Sequence, residues 1–184
     1  MPDFRLLRAA RLESVDRTPV WFMRQAGRYQ KEYRTLRKRH SILDLCASPE
    51  LAAEVSLIPP TLYPDIDATI IFSDILLLLR PLGIRLEFAP SEGPVIANRV
   101  QSEADVRALT PLDLAQLAPV YDAIRIVRRE LAARMPVIGF AGAPFTLASY
   151  VLEGGASRHY LKTKSFMLSP AWPNLMNKLA DAVI

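Results

Sequence analysis

The chain has 184 residues, 51% of them apolar, which is enough for one ordinary domain with a core of its own. Its single cysteine, Cys46, excludes an internal disulfide, and with only His40 and His159 beside it the usual zinc constellations are missing, as a reducing compartment would allow. The net charge of +4 sits at the front: residues 1–40 hold 11 of the 23 Lys/Arg against 4 of the 19 Asp/Glu, leaving 12 against 15 for the remainder.

Clustered cations suit phosphate binding. No nucleic-acid motif accompanies them, however, and no aromatics alternate with the arginines, so a polyanionic small molecule is the better ligand class. Arg34, Arg37, Lys38 and Arg39 read as the solvated face of a helix. Arg5, Arg8 and Arg11 interrupt the opening segment, which therefore lacks the order of a secretory signal. Apolar runs such as "ILLLL" at 75–79 are far too short to span a bilayer. A cytoplasmic protein without a membrane partner is expected.

Three segments have the content of buried strands: "VWFM" at 20–23, "ATIIF" at 68–72 and "VIGFA" at 137–141. Between the first two, "SPELAAEVSLI" opens with an N-cap serine, a first-position proline and an acid in the first turn, and so predicts a helix from Ser48. Pro59 and Pro60 should kink or stop it. "APSEGP" at 89–94 is turn chemistry between two extended pieces. Residues 112–134 show apolar positions at helical spacing, with basic residues toward the end where the dipole favours them. "PAWPNLMNKLADAVI" is amphipathic and helical in pattern, and it reaches Ile184 without a cap. The alternation of strand and helix implies an α/β fold with parallel strands and right-handed crossovers. The uncapped end, and a sheet too small to cover its edges, point to about the first half of a barrel.

Each strand candidate runs into polar or glycine-containing residues: Arg24-Gln25, Ser73-Asp74 and Gly142-Ala143-Pro144. In parallel α/β folds ligands bind at the carboxyl ends of strands, so the three stretches are candidates for one site. Arg24 and Arg28 flank Ala26-Gly27, small residues that let backbone amides approach a ligand. Guanidinium groups bind carboxylates through paired hydrogen bonds, which favours anion recognition over a structural salt bridge. Asp74 has two readings: an N-cap, or an acceptor that stabilises positive charge in a low dielectric. Tyr150, in "GFAGAPFTLASYVLEGG", is a core tyrosine or a pocket donor, the residues alone favouring the first. Phe140, Phe145 and Leu147 read as packing or pocket wall, and Gly154-Gly155 as a helix end. The glycine spacing is no phosphate loop, because the lysine and hydroxyl residue are missing. His40 and His159 have no partner arranged as a nucleophilic triad, and Cys46 reads as buried and inert.

On "PVWFMRQAGRYQKEYR", "DATIIFSDIL" and "GFAGAPFTLASYVLEGG", in that order, the chain resembles the uroporphyrinogen decarboxylase family over essentially its whole length. Gln30-Lys31 stand where that family usually has Leu-Pro, a departure expected to concern a helix start rather than the arginines. The resemblance implies a (β/α)8 TIM barrel, with residues 1–184 forming its N-terminal part, and a homodimer. It further implies loss of the four acetate carboxyl groups of uroporphyrinogen III as CO2 to give coproporphyrinogen III, with no metal or cofactor. It assigns Arg24 and Arg28 to substrate carboxylates, Gln25 and Ala26 to the same loop, Asp74 to the pyrrole N–H groups, and Tyr150 to the cleft. A serine and a histidine of the family's second half would lie beyond Ile184. An alternative is a catalytically incomplete half-barrel that binds porphyrinogen or a partner. A zinc-dependent methyl-transferring barrel relative is poorly served by a single cysteine.

Overall fold

The computed structural model describes residues 3–23, 25–89, 93–132 and 134–184. In chain order the elements begin α1 (Arg5–Ala10), α2 (Lys31–Arg37), α3 (Ile42–Ala47), α4 (Pro49–Leu62), β1 (Thr69–Ile70), β2 (Leu86–Ala89) and β3 (Gly93–Ile96). They continue with α5 (Glu103–Ala108), α6 (Ala118–Leu131), β4 (Val137–Ile138), α7 (Pro144–Glu153), α8 (Leu161–Phe166) and α9 (Trp172–Val183). The chain divides into two compact units, Met1–Ser73 with Ala118–Phe140, and Asp74–Leu117 with Ala141–Ile184.

The first unit is built on a parallel pair, β1 beside β4, in the register Thr69 to Val137 and Ile70 to Ile138. Thr69 N–H donates to Pro136 O (3.1 Å) and Ile71 N–H to Ile138 O (3.0 Å), so these two amides face β4. α4 packs on α6, and Ala52, Ala53, Ile71, Ala123, Val127 and Leu131 form one buried cluster. A second cluster joins Tyr33, Leu45, Val55 and Ile58, with Phe72 meeting the Tyr33 ring edge-on at 5.8 Å. Burying each such aliphatic side chain is worth about 2 kcal/mol.

The N-terminus of α4 follows the sequence: Ser48 caps it, accepting from Leu51 N–H at 3.3 Å, and Pro49 takes the first position. Its C-terminus does not. The helix continues through Pro59 and Pro60 to Leu62. Pro60 has no N–H for the Ser56 carbonyl four residues back. Thr69 of β1 supplies the missing donor, its hydroxyl bonding Ser56 O at 2.8 Å, while Ser56 Oγ donates to Ala52 O and accepts from Phe72 N–H, both at 2.7 Å. A contact from the sheet thus replaces the hydrogen bond that proline removes.

"VWFM" is not a strand. Val20 pairs with Asp67, accepting from its N–H at 2.8 Å and donating to its Oδ2 at 2.8 Å, and the chain then turns away, leaving Phe22 and Met23 exposed. Asp67 is buried and also receives Arg5 and Arg17, which tie the segment containing α1 to the start of β1. The helix expected over 112–134 is a 3-10 turn, Leu114–Leu117, followed by α6, because Pro119 is tolerated only in a first helical turn.

In the second unit β2 and β3 form an antiparallel hairpin, Leu86 opposite Ile96 and Ala89 opposite Gly93. It fits the expected turn chemistry, although residues 90–92 lie outside the described residues. The core gathers Leu76, Leu79, Leu147, Val151, Leu152, Leu175 and Leu179 from the 3-10 segment Ile75–Leu79, α7 and α9. α7 ends as expected at Gly154, whose φ of +89° is the left-handed conformation of a helix C-cap. Among the described residues the strands form two separate pairs and no closed barrel.

Thr69→Val should cost about 1–3 kcal/mol, since it keeps the shape of the side chain but strips the buried Ser56 carbonyl of its donor. Urea unfolding measures the loss; a variant as stable as the parent would mean that the prolines need no such partner.

Candidate functional site

Residues 25–30 are held by hydrogen bonds among themselves and to residues 68 and 70. Gln25 is fully buried; its Nε2 donates to Ala68 O at 2.9 Å and its Oε1 accepts from Ile70 N–H at 3.2 Å. Its backbone N–H donates to Phe22 O at 3.1 Å, and its carbonyl accepts from the Tyr29 hydroxyl. Gly27 and Gln30 close the turn, Gly27 N–H donating to Gln30 Oε1 at 3.2 Å and Gln30 N–H to Gly27 O at 3.0 Å. Arg34 braces the far side, its Nη1 reaching Arg28 O at 2.9 Å and Tyr29 O at 2.8 Å. Ala26 packs against the Tyr33 cluster.

This frame carries Arg28, which is exposed and has no carboxylate partner among the described residues. Its charge is felt by Tyr33, whose hydroxyl is pushed up by burial against the opposing influence of Arg37 and Arg28. Arg24, the other predicted carboxylate ligand, lies outside the described residues. Gln30 does more than start a helix. It precedes α2 without capping it, and its side chain turns back to the loop, so the departure from Leu-Pro bears on the arginine segment itself. Its Nε2 is the one buried side-chain polar atom without a partner among the described residues.

Asp74 and Tyr150 belong to the second unit. Asp74 caps the 3-10 segment Ile75–Leu79, its Oδ1 accepting from Leu76 N–H at 2.8 Å. Burial pushes its carboxyl above the usual range, with the Leu76 N–H opposing. Gly142, of the third strand-end stretch, meets this turn directly. A Cβ there would lie 2.8 Å from Leu147 Cδ2 and 3.3 Å from Ile75 Cβ, so the absence of a side chain lets residues 141–143 lie against the base of the Asp74 turn. Tyr150 rides on α7, half-buried, its ring packed on the core that Leu76 and Leu79 share. Two of the three predicted stretches, Asp74 and Gly142-Pro144, are therefore brought together with Tyr150 on one core, while the loop of Gln25, Ala26 and Arg28 is built within the other unit.

A cavity of about 710 Å³ in the first unit lies elsewhere, at the amino ends of β1 and β4. Arg5, Arg17, Asp16 and Asp67 line it, and these arginines are already spent on those aspartates. The Arg5 hydrogen bond draws the Asp16 carboxyl down to about 2. No three His, Cys, Asp or Glu side chains converge as a metal site among the described residues. Among the described residues no helix is long and apolar enough to cross a membrane.

The model of the family described as uroporphyrinogen decarboxylase (URO-D) matches residues 1–184. The chain belongs to that family. It is 49% identical over 181 residues to the uroporphyrinogen decarboxylase of Solibacter usitatus (strain Ellin6076) and 52% identical over 182 residues to that of Sorangium cellulosum (strain So ce56). Each alignment takes in 97% of this chain and 52% of the relative. The chain thus spans about half the length of the curated relatives it matches. A solved methyltransferase from Methanosarcina mazei superposes with a TM-score of 0.76 at 20% identity, covering 98% of this chain and 52% of that one, a likeness of fold alone. The fold is accordingly about half of the family's TIM barrel, which accounts for parallel strands without closure.

The proton linkage of Asp74 can be signed. A carboxyl whose pKa is raised in the folded state favours folding at acid pH, and that advantage is lost as pH rises through the raised value. Asp74→Asn keeps an oxygen for Leu76 N–H and removes the buried charge, so at pH 7 it should unfold at a temperature no lower than the parent. Asp74→Ala should lose about 1 kcal/mol with the cap. Thermal scans compare the two; an asparagine variant weaker than the alanine one would contradict this account.

Proposed function

We propose that this chain is the porphyrinogen-gripping half of a uroporphyrinogen decarboxylase, taking part in release of the four acetate carboxyl groups of uroporphyrinogen III as CO2 to give coproporphyrinogen III. The observation that carries the reading is the preformed loop that presents Arg28 to solvent without an internal carboxylate partner. The relatives' names supply the substrate. A substrate with eight acid arms is the kind of polyanion that unpartnered guanidinium groups on a rigid frame recognise.

The chemistry follows from the substrate. Protonation of a pyrrole ring carbon gives a cationic ring that accepts the electron pair of the C–CO2 bond. CO2 departs and leaves an exocyclic methylene; a proton added to that carbon makes the methyl group, and loss of the extra proton from the ring carbon restores the pyrrole. In this reading Arg24 and Arg28 hold acid arms, and Ala26 leaves the loop backbone approachable. Ionised Asp74 accepts from pyrrole N–H groups and steadies the ring cation, an interaction strengthened by burial. Arginine is a poor acid near neutral pH, so the ring proton comes from Tyr150, water or a substrate carboxyl. The protein works without metal or organic cofactor, as a homodimer in the cytoplasm.

The decisive assay follows CO2 release from uroporphyrinogen by the 184-residue chain, alone and co-expressed with the C-terminal half of the Sorangium cellulosum relative. Turnover is expected in the second arm at least; none in either would end the proposal. In the active form Asp74→Asn should lose about 10²-fold or more in turnover while remaining folded. Arg28→Gln should weaken uroporphyrin binding by about tenfold, as expected for one lost charged contact. The half-length match favours one second reading, a binding half without turnover of its own, for which uroporphyrin would quench tryptophan fluorescence while CO2 release stays absent from the chain alone.

A further inference from the structure

We propose that Gln25 is a positioning residue whose side-chain amide takes the place of a neighbouring strand on β1 and thereby sets the course of the arginine loop. The inference rests on the proposed function for its consequence, though not for its geometry.

Backbone groups of a strand alternate between its two edges. On β1 the amides of Thr69 and Ile71 face β4 and are satisfied there. Ala68 O and Ile70 N–H belong to the opposite edge, where no strand pairs with β1 among the described residues. A primary carboxamide offers one donor and one acceptor side by side, as a peptide group does, and Gln25 spends them on these two groups at 2.9 and 3.2 Å. Ala68 and Gln25 are both fully buried, so water cannot substitute. Glutamate would set an acceptor against the Ala68 carbonyl, asparagine is one methylene shorter, and leucine would leave both groups orphaned.

The same residue is fully buried, and each of its polar atoms has a partner within the protein. Its N–H is held by Phe22 O and its carbonyl by the Tyr29 hydroxyl, so all four polar groups of Gln25 are engaged within the protein. What it contributes to an anion at Arg28 is place. The buried amide pins the chain three residues before Arg28, and the Gly27–Gln30 pair carries that constraint across the turn.

Amide hydrogen exchange on the 184-residue chain tests the lock directly. In Gln25→Leu the Ile70 and Gly27 amides should exchange at least about tenfold faster, whereas Thr69 and Ile71, bonded to β4, stay within about threefold. Gln25→Glu provides a second variant with a readout that simple loss of packing would not move. Once protonated, its carboxyl regains a donor beside an acceptor, so protection of Ile70, corrected for intrinsic exchange, should return as pH falls. Uroporphyrin affinity should drop about tenfold in Gln25→Leu with Arg28 intact. Unchanged exchange at Ile70, no recovery in the glutamate variant at low pH, or faster exchange with undiminished uroporphyrin affinity would each overturn the proposal. A parent chain that does not bind uroporphyrin would instead count against the proposed function, with exchange at Ile70 and Gly27 still deciding the lock.

Discussion

A strand buried in a small parallel sheet has two edges of backbone donors and acceptors, and each buried group left without a partner costs on the order of 1–3 kcal/mol. β1 meets that demand from β4 on one side and, on the other, from the Gln25 amide at Ala68 and Ile70, with the Ser56 hydroxyl taking Phe72 N–H just beyond. Much of the first unit follows from this arrangement. Because an amide head completes the edge, the preceding segment is released after Val20 instead of continuing as a strand. On the proposal made above, the anchored glutamine holds the loop beyond it in place before any ligand arrives. Such preorganisation lowers the cost of binding, since the ordering is done by folding and not by the ligand.

The same demand for satisfied polar groups recurs where β1 meets α4. Two prolines inside a helix would ordinarily end it, yet the Thr69 hydroxyl donates to the Ser56 carbonyl that Pro60 leaves without a donor, and the Ser56 hydroxyl accepts from Phe72 N–H, so helix and strand are joined there. Asp74 shows the opposite case. It is well placed as a cap, but the burial that comes with its position raises the cost of its charge. An asparagine would cap as well without that cost. A carboxylate kept there at the expense of stability is what a role in steadying a cation would require.

Family membership and half coverage go with two compact units in this chain. Each of the two units has a hydrophobic core of its own, with large aliphatic side chains wholly removed from water. In a barrel the end-of-strand loops carry chemistry while the strands and helices carry stability. Under the proposed function the arginine loop and the Asp74 turn would be the parts of this chain that carry chemistry. Each is held by buried residues: Gln25 and Gln30 in one, Gly142 and Leu147 in the other.

Local chemistry made several features legible from the sequence. The Ser48-Pro49 start of α4, the Gly154 stop of α7, the pairing of β2 with β3 and the strand cores at 69–70 and 137–138 depend on residues close together in the chain, whose capping, turn and burial preferences are local. The long motifs around Arg24–Arg28 and Tyr150 placed the family. The fate of "VWFM", the passage of α4 through Pro59 and Pro60, and the roles of Gln25 and Gln30 were decided only in three dimensions. In each case one side chain satisfies, or turns away from, a backbone group that is distant in sequence or on another element, as Gln25 does at Ala68 and Thr69 at Ser56. Hydrophobic period and turn propensity report which way a residue faces; they hold no information about which far carbonyl still lacks a donor.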